Sequence, residues 1–192
     1  MKTENKLNNI YYPPGGILMW IIIFLELFTF GIALVSMVYY GKQEPEIFHN
    51  SRLLLNADIG LLNTFVLITS GFFMALSVLN FKVQKFSKSN FFLVITIIGG
   101  FVFLGIKSFE YYTKIDAGLS MNYNTFFTFY WMLTLFHVVH VVVGLVILIS
   151  VLFSNLKKKS TTNIEDFEAS AAFWHMCDLI WLLLFPVIYL IF

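Results

Sequence analysis

Charge is scarce in this chain of 192 residues. Only 12% of them are Asp, Glu, Lys or Arg, where an ordinary soluble domain carries roughly 25%. With 59% hydrophobic residues, a shell facing water is excluded, because that much exposed apolar surface aggregates. Lipid must be the surrounding solvent. The formal net charge of +1 gives no field that would gather nucleic acid, and none is expected as a partner. Cysteine is scarcer still. Cys177 stands alone, which excludes an internal disulfide and any two-cysteine metal site built by this chain, and no C-x-x-C-H attachment for c-type haem is present. The imidazoles are His49, His137, His140 and His175. A cleavable signal peptide is also missing from the pattern. The first apolar run, 17–40, is about twice the length of a secretory h-region and reads as a retained span.

What the chain does have is long apolar runs. Five of them, at 17–40, 59–81, 91–109, 126–153 and 171–192, reach the roughly 20 residues that a helix needs to cross a bilayer. Helices are the expected form, since a lone strand leaves its backbone unbonded in lipid and nothing here alternates like a barrel. The expected fold is an all-α integral membrane bundle, one domain over 1–192, with connections at 41–58, 82–90, 110–125 and 154–170. Lys2, Lys6, Lys82, Lys85, Lys88, Lys157, Lys158 and Lys159 fall at one end. Lys42, Arg52 and Lys114 fall at the other, with Lys107 close by. The positive-inside rule then places the N-terminus in the cytoplasm and the C-terminus outside. Phe192 would end the last span at the outer interface, and Pro186 would kink it for packing.

A charge at mid-bilayer costs roughly 2.5–3.5 kcal/mol even on the lenient insertion scale, so each polar group within a span needs a protein neighbour. Glu26 lies about ten residues into the first span, near mid-membrane at roughly 1.5 Å per residue. His137 and His140 share a face of the fourth span, and His175 and Asp178 repeat that spacing in the fifth. Glu168 stands two turns before His175, and Glu110 closes the third span. With Asn63, these groups are expected to form one internal polar seam that joins helix to helix or holds lipid and a partner. Trp174 and Trp181 would serve as packing anchors. Three functional alternatives compete: haem held between His175 and either His137 or His140, a proton relay or transport path through Glu26, Glu110 and the histidines, and catalysis by His175 and Asp178. The last has no nucleophile or metal cluster beside it. No catalytic or metal-binding residue is assigned. Gly99, Gly100, Gly105, Ser70, Gly71 and Gly144 mark faces where helices can approach closely.

These residues carry a resemblance. Leu61-Leu62-Asn63-Thr64 with Thr69-Ser70-Gly71 resembles an L-L-N-T…S-G segment of subunit III of the haem–copper oxidases. Phe109-Glu110-Tyr111 resembles that family's S-E-Y, and Phe136-His137-Val138-Val139-His140 through Gly144 its F-H-G-L-H-V-x-x-G. Phe167-Glu168 with Phe173-Trp174-His175-Met176-Cys177-Asp178-Leu179-Ile180-Trp181 is similar to its F-E…Y-W-H-F-V-D-x-x-W. The four segments keep the family's order over roughly 17–192. Val138, Val139, Phe173, Cys177 and Leu25 depart from the pattern. The short five-helix form, with the run from Trp174 through Leu184-Phe185-Pro186 to Tyr189-Leu190, also resembles the NorE-like branch associated with nitric oxide reductases.

The resemblance implies an accessory subunit that binds no metal, packs against a catalytic haem–copper subunit of an oxidase or a nitric oxide reductase, holds phospholipid and supports the neighbour's proton uptake. Haem and copper would belong to that partner, in a bacterial inner membrane. The histidine count agrees, because a catalytic haem–copper subunit needs more imidazoles than the three within these spans. Rival expectations are a small haem-binding membrane cytochrome, and a transporter or assembly factor.

Overall fold

A computed structural model describes residues 15–157 and 163–192, so Lys2, Lys6, Lys158 and Lys159 lie outside the described residues. Within them the chain forms α1 (Ile17–Gln43), α2 (Pro45–Leu53), α3 (Ala57–Lys82), α4 (Phe86–Asp116), α5 (Thr125–Leu156) and α6 (Ile164–Tyr189). All but α2 are long and apolar enough to cross a membrane, so the chain is a multi-pass membrane protein. At about 1.5 Å per residue, helices of 26 to 32 residues exceed a hydrocarbon core of roughly 30 Å. They therefore tilt or project past it.

Helix ends follow from local chemistry. Asn56 caps α3 by accepting from the Asp58 and Ile59 amides, and Asn124 caps α5 by accepting from the Phe127 amide at 2.9 Å. Pro45 opens α2, where a missing amide hydrogen costs nothing. α3 and α4 both end in a reversal that reclaims orphan carbonyls. Lys85 N bonds Asn80 O and Gln84 N bonds Phe81 O; Leu119 N bonds Lys114 O and Gly118 N bonds Ile115 O. Gly118 takes the left-handed position at φ 73°, as only glycine does cheaply.

α3 and α4 form the tightest antiparallel pair. The Ser70 hydroxyl donates to Thr96 O at 3.0 Å and the Thr96 hydroxyl returns to Ser70 O. One heptad along, Ser77 donates to Ser89 O at 2.8 Å and Ser89 donates to Ser77 O at 2.9 Å. Such hydroxyl-to-carbonyl stitches replace the hydrophobic drive that lipid removes. Gly99 faces Ser70 so closely that a Cβ there would lie 2.8 Å from the serine Cβ. α6 packs on α1, α3 and α5 and is the most enclosed helix, while α1 is the least.

Several expected boundaries are corrected: α4 starts at Phe86 and α6 at Ile164, inside the connections 82–90 and 154–170, because apolar residues there continue the helical faces, and three further changes bear on the interior. The connection 41–58 contains α2, which seats Phe48 among Phe126 and Phe192 and covers one end of the bundle. The third helix runs on to Asp116, because nothing in Glu110–Ile115 breaks a helix and its charged members Glu110 and Lys114 have internal partners. Thus Glu110 is inside the helix, and Lys107 belongs to the interior rather than to an end. The last helix stops at Tyr189, and the Phe192 ring folds back against Gly41. At that end Arg52 Nε donates to Tyr189 O at 3.0 Å and Lys114 Nζ to Leu54 O at 2.6 Å. Two of the three basic groups expected in the loops there are thus spent on backbone carbonyls.

Candidate functional site

The bonds among the expected residues run in pairs and one larger cluster, since a shared face fixes only which residues point together and not what they meet. The most enclosed cluster is centred on Glu110. Its Oε2 accepts from Lys107 Nζ at 3.0 Å, and its Oε1 accepts from the hydroxyls of Tyr130 at 2.8 Å and Tyr189 at 2.6 Å. Lys107 Nζ donates also to the Tyr189 oxygen at 2.9 Å. The ammonium lies 5.1 Å from the Trp181 ring centroid and a similar distance from Tyr130, which adds cation–π attraction. Both ionic side chains are almost wholly covered, at 1% and 2% exposure. A buried ion pair holds only when hydrogen bonds satisfy its remaining valences. Here three helices supply them.

Of this cluster only Glu110 was among the expected residues. Lys107, Tyr130 and Tyr189 were missed. The signal for Lys107 was its position three residues before Glu110, the helical pairing distance, hidden by ending the span at 109.

Toward the middle of the bundle, Trp181 donates its indole N–H to the Thr64 hydroxyl at 3.0 Å. Its ring lies 5.3 Å from His137 and edge-on to Phe103 at 5.0 Å. His137 is fully buried there, and Asn63, next to Thr64 in α3, is fully buried as well. Further along α6, Trp174 donates to the Ser70 hydroxyl at 3.2 Å. Its ring occupies the space that a Cβ at Gly100 or Gly144 would need, at 2.6 Å and 3.0 Å. Both tryptophans are therefore wedged where glycine, serine and threonine leave room.

The other expected residues lie nearer the surface. Glu26 Oε2 stands 3.2 Å from His140 Nε2 and joins α1 to α5, with the His140 ring stacked edge-on against Phe136 and Phe30. His175 Nδ1 lies 3.4 Å from Asp178 Oδ2. Asp178 is buried because Gly71 on α3 has no side chain, and its carboxylate takes up that space. His175 itself is a correction: its side chain is 44% exposed, on the outward edge of α6. Glu168 meets Lys82 at 2.6 Å. Together Glu168, Lys82 and His175 border a groove of about 580 Å³ between α1, α3 and α6, otherwise lined by apolar side chains such as Trp20, Phe24 and Leu79. Cys177 is buried. Among the described residues, no three His, Cys, Asp or Glu side chains converge as a metal site would require.

Chemically the arrangement binds helices together. Glu26 pairs with His140, Asp178 with His175 and Glu110 with Lys107, and among the described residues no hydroxyl or thiol is hydrogen-bonded to His175 or Asp178 as an activated nucleophile would be. Comparison with known proteins bears on the same question. The family profile of cytochrome c oxidase subunit III matches residues 14–191. Subunit 3 of the cytochrome bo(3) ubiquinol oxidase of Buchnera aphidicola subsp. Acyrthosiphon pisum is 30% identical over 73% of this chain and 69% of its own. Cytochrome c oxidase subunit 3 of Bacillus sp. strain PS3 is 25% identical over 99% of this chain and 87% of its own. In Aeropyrum pernix the similar protein is a heme-copper oxidase subunit I+III, 26% identical over 90% of this chain but only 22% of that longer polypeptide. With nearly its whole length matched, the chain belongs to the cytochrome c oxidase subunit III family.

Proposed function

We propose that this chain is the non-catalytic accessory subunit of a haem–copper oxidase in a bacterial inner membrane, seated against the catalytic subunit. The family match over 14–191 carries this reading. The relatives named above are subunits of quinol and cytochrome c oxidases, so an oxidase partner is preferred to a nitric oxide reductase. The Aeropyrum protein, by its name, joins subunits I and III in one polypeptide. A separate chain of the second kind is suited to lie beside a separate chain of the first. Under this reading haem and copper belong to the partner. The placement of the imidazoles supports that: His137 is enclosed by Phe103 and Trp181, His140 is beside Glu26, and His175 is beside Asp178 on an outer edge.

The reading is tested by solubilising membranes in mild detergent and recovering a tagged form of the chain. A catalytic haem–copper subunit is expected in fixed ratio, with the Soret absorbance following that subunit when the two are separated. A Soret band on the isolated chain would establish the small cytochrome instead, and recovery without a haem–copper subunit would favour a transporter or assembly factor.

The proposed orientation has the N-terminus in the cytoplasm, with Lys82, Lys85, Lys88 and Lys157 at that end. Support for proton uptake in the partner is part of the same proposal, with the Glu26–His140 pair as the ionisable group between α1 and α5. Phospholipid is proposed for the groove between α1, α3 and α6. An apolar trough with an ammonium at its rim matches acyl chains below an anionic headgroup, and Lys82 is 47% exposed there beside Glu168. Ala172→Trp, which fills the trough, and Lys82→Ala, which removes its charge, should each lower the anionic phospholipid retained per complex by mass spectrometry. An unchanged lipid count in both would remove the groove from the proposal.

A further inference from the structure

A second feature of the interior is polar and is not used by any of the ion pairs. Neither side-chain atom of Asn63 and neither ring nitrogen of His137 has a hydrogen-bond partner among the described residues, although both residues are fully buried. In a bundle interior, buried polar atoms are bonded to protein or to ordered water in the great majority of cases. Leaving four of them unbonded would carry the full desolvation penalty of each. Something must therefore complete their bonds.

The helix register puts the two residues in one layer. On the α3–α4 seam, Ser77 bonds across to Ser89 and Ser70 to Thr96. Each is one heptad step, so the next step pairs Asn63 with Phe103. The Phe103 ring stands edge-on to His137 at 5.7 Å and to Trp181 at 5.0 Å. Thr64, adjacent to Asn63, accepts the Trp181 indole proton at 3.0 Å. By this register Asn63 from α3 falls at the level of the Phe103–Trp181 pair that the His137 ring from α5 meets, about one helical turn from Lys107.

We propose that Asn63 and His137 hold an internal water site in this layer, of one or two molecules hydrogen-bonded to the amide and to the imidazole. The donor set selects the ligand. The amide offers two donors and an acceptor oxygen, and a neutral imidazole offers one donor and one acceptor, which is the mixture a water molecule matches. Among the described residues no group of three His, Cys, Asp or Glu side chains converges here to hold a metal cation. An anion lacks a free cation, because Lys107 is engaged by Glu110 and the tyrosines. The site rests on these residues and not on the oxidase reading; that reading only supplies the complex in which the tests are made, and recovery of that complex is checked separately.

A structure of the purified oxidase, at a resolution that shows ordered water, is the direct test. Solvent density within roughly 2.7–3.2 Å of both the Asn63 amide and a His137 nitrogen, or bridging them through a second water, is the expected result. Side chains turned to bond each other or a backbone carbonyl directly, or density at only one of the two, would overturn it. Variants give an independent reading through the temperature at which this chain leaves the complex. Asn63→Leu and His137→Leu should each lower it, because each strands the water on the remaining partner. The double variant should lie no lower than the worse single one, since a layer without polar groups needs no water. Additive losses would count against the site.

Discussion

Lys107→Met should remove most of the folded chain from the membrane, with a loss of about 3–5 kcal/mol, the usual result of stripping one partner from a buried ion pair. Glu110 would retain the Tyr130 and Tyr189 hydroxyls as donors, but its charge would have no counter-ion in a medium of low dielectric. The methionine replaces the aliphatic stem, so packing is nearly kept and the effect reports charge. Lys107→Met combined with Glu110→Gln should restore much of the loss. The amide oxygen still accepts from the tyrosines and no bare charge remains, and a buried pair replaced as a unit is often neutral in cost. Immunoblots of membranes and heat unfolding in detergent measure both variants. A double variant as poor as the single one would show that geometry, not charge, carries the cluster.

Trp174→Ala should cost a similar amount, about 3–5 kcal/mol, because its fully buried ring fills the space between Gly100 and Gly144 and holds the Ser70 hydroxyl. Gly100→Leu in the native chain should cost about 1–3 kcal/mol by overpacking, since the new side chain would enter the indole and Leu145. The two changes together should lose clearly less than their sum, because the leucine then grows into the cavity that the tryptophan left. Thermal unfolding of the four chains closes the cycle. Strict additivity would mean that the ring and the glycine do not share a volume.

Legibility followed the range of the physics involved. Hydropathy is summed locally along the chain, so five spans and their order could be read from residues such as 126–153 without knowing any neighbour. Helix ends could not be read as well. Lys107 and Lys114 make the end of α4 look like a loop, yet each amine reaches a partner beyond its own helix, the Tyr189 hydroxyl for one, beside Glu110 on α4 itself, and Leu54 O for the other. The i,i+3 pairing of His175 with Asp178 was visible. That His175 faces outward while Asp178 fills the space at Gly71 was not, because spacing on one helix says nothing about the rotation of that helix against α3. Asn63 and His137 stood out only as polar residues in apolar runs. Their shared layer appeared once the Ser70–Thr96 and Ser77–Ser89 stitches fixed the register.

The residue order was enough to establish a lipid-embedded helical chain, the number of its crossings and the kinship of its motifs, because transfer of apolar segments out of water depends on composition and length. Packing decided the rest: that Lys107 is an interior cation, that the ionisable groups fall into separate clusters, and that a groove opens between α1, α3 and α6. Those outcomes depend on how closely the backbones approach at Gly71, Gly99 and Gly100 and on the rotation each helix then adopts, which are properties of pairs of helices and are written in no single one of them.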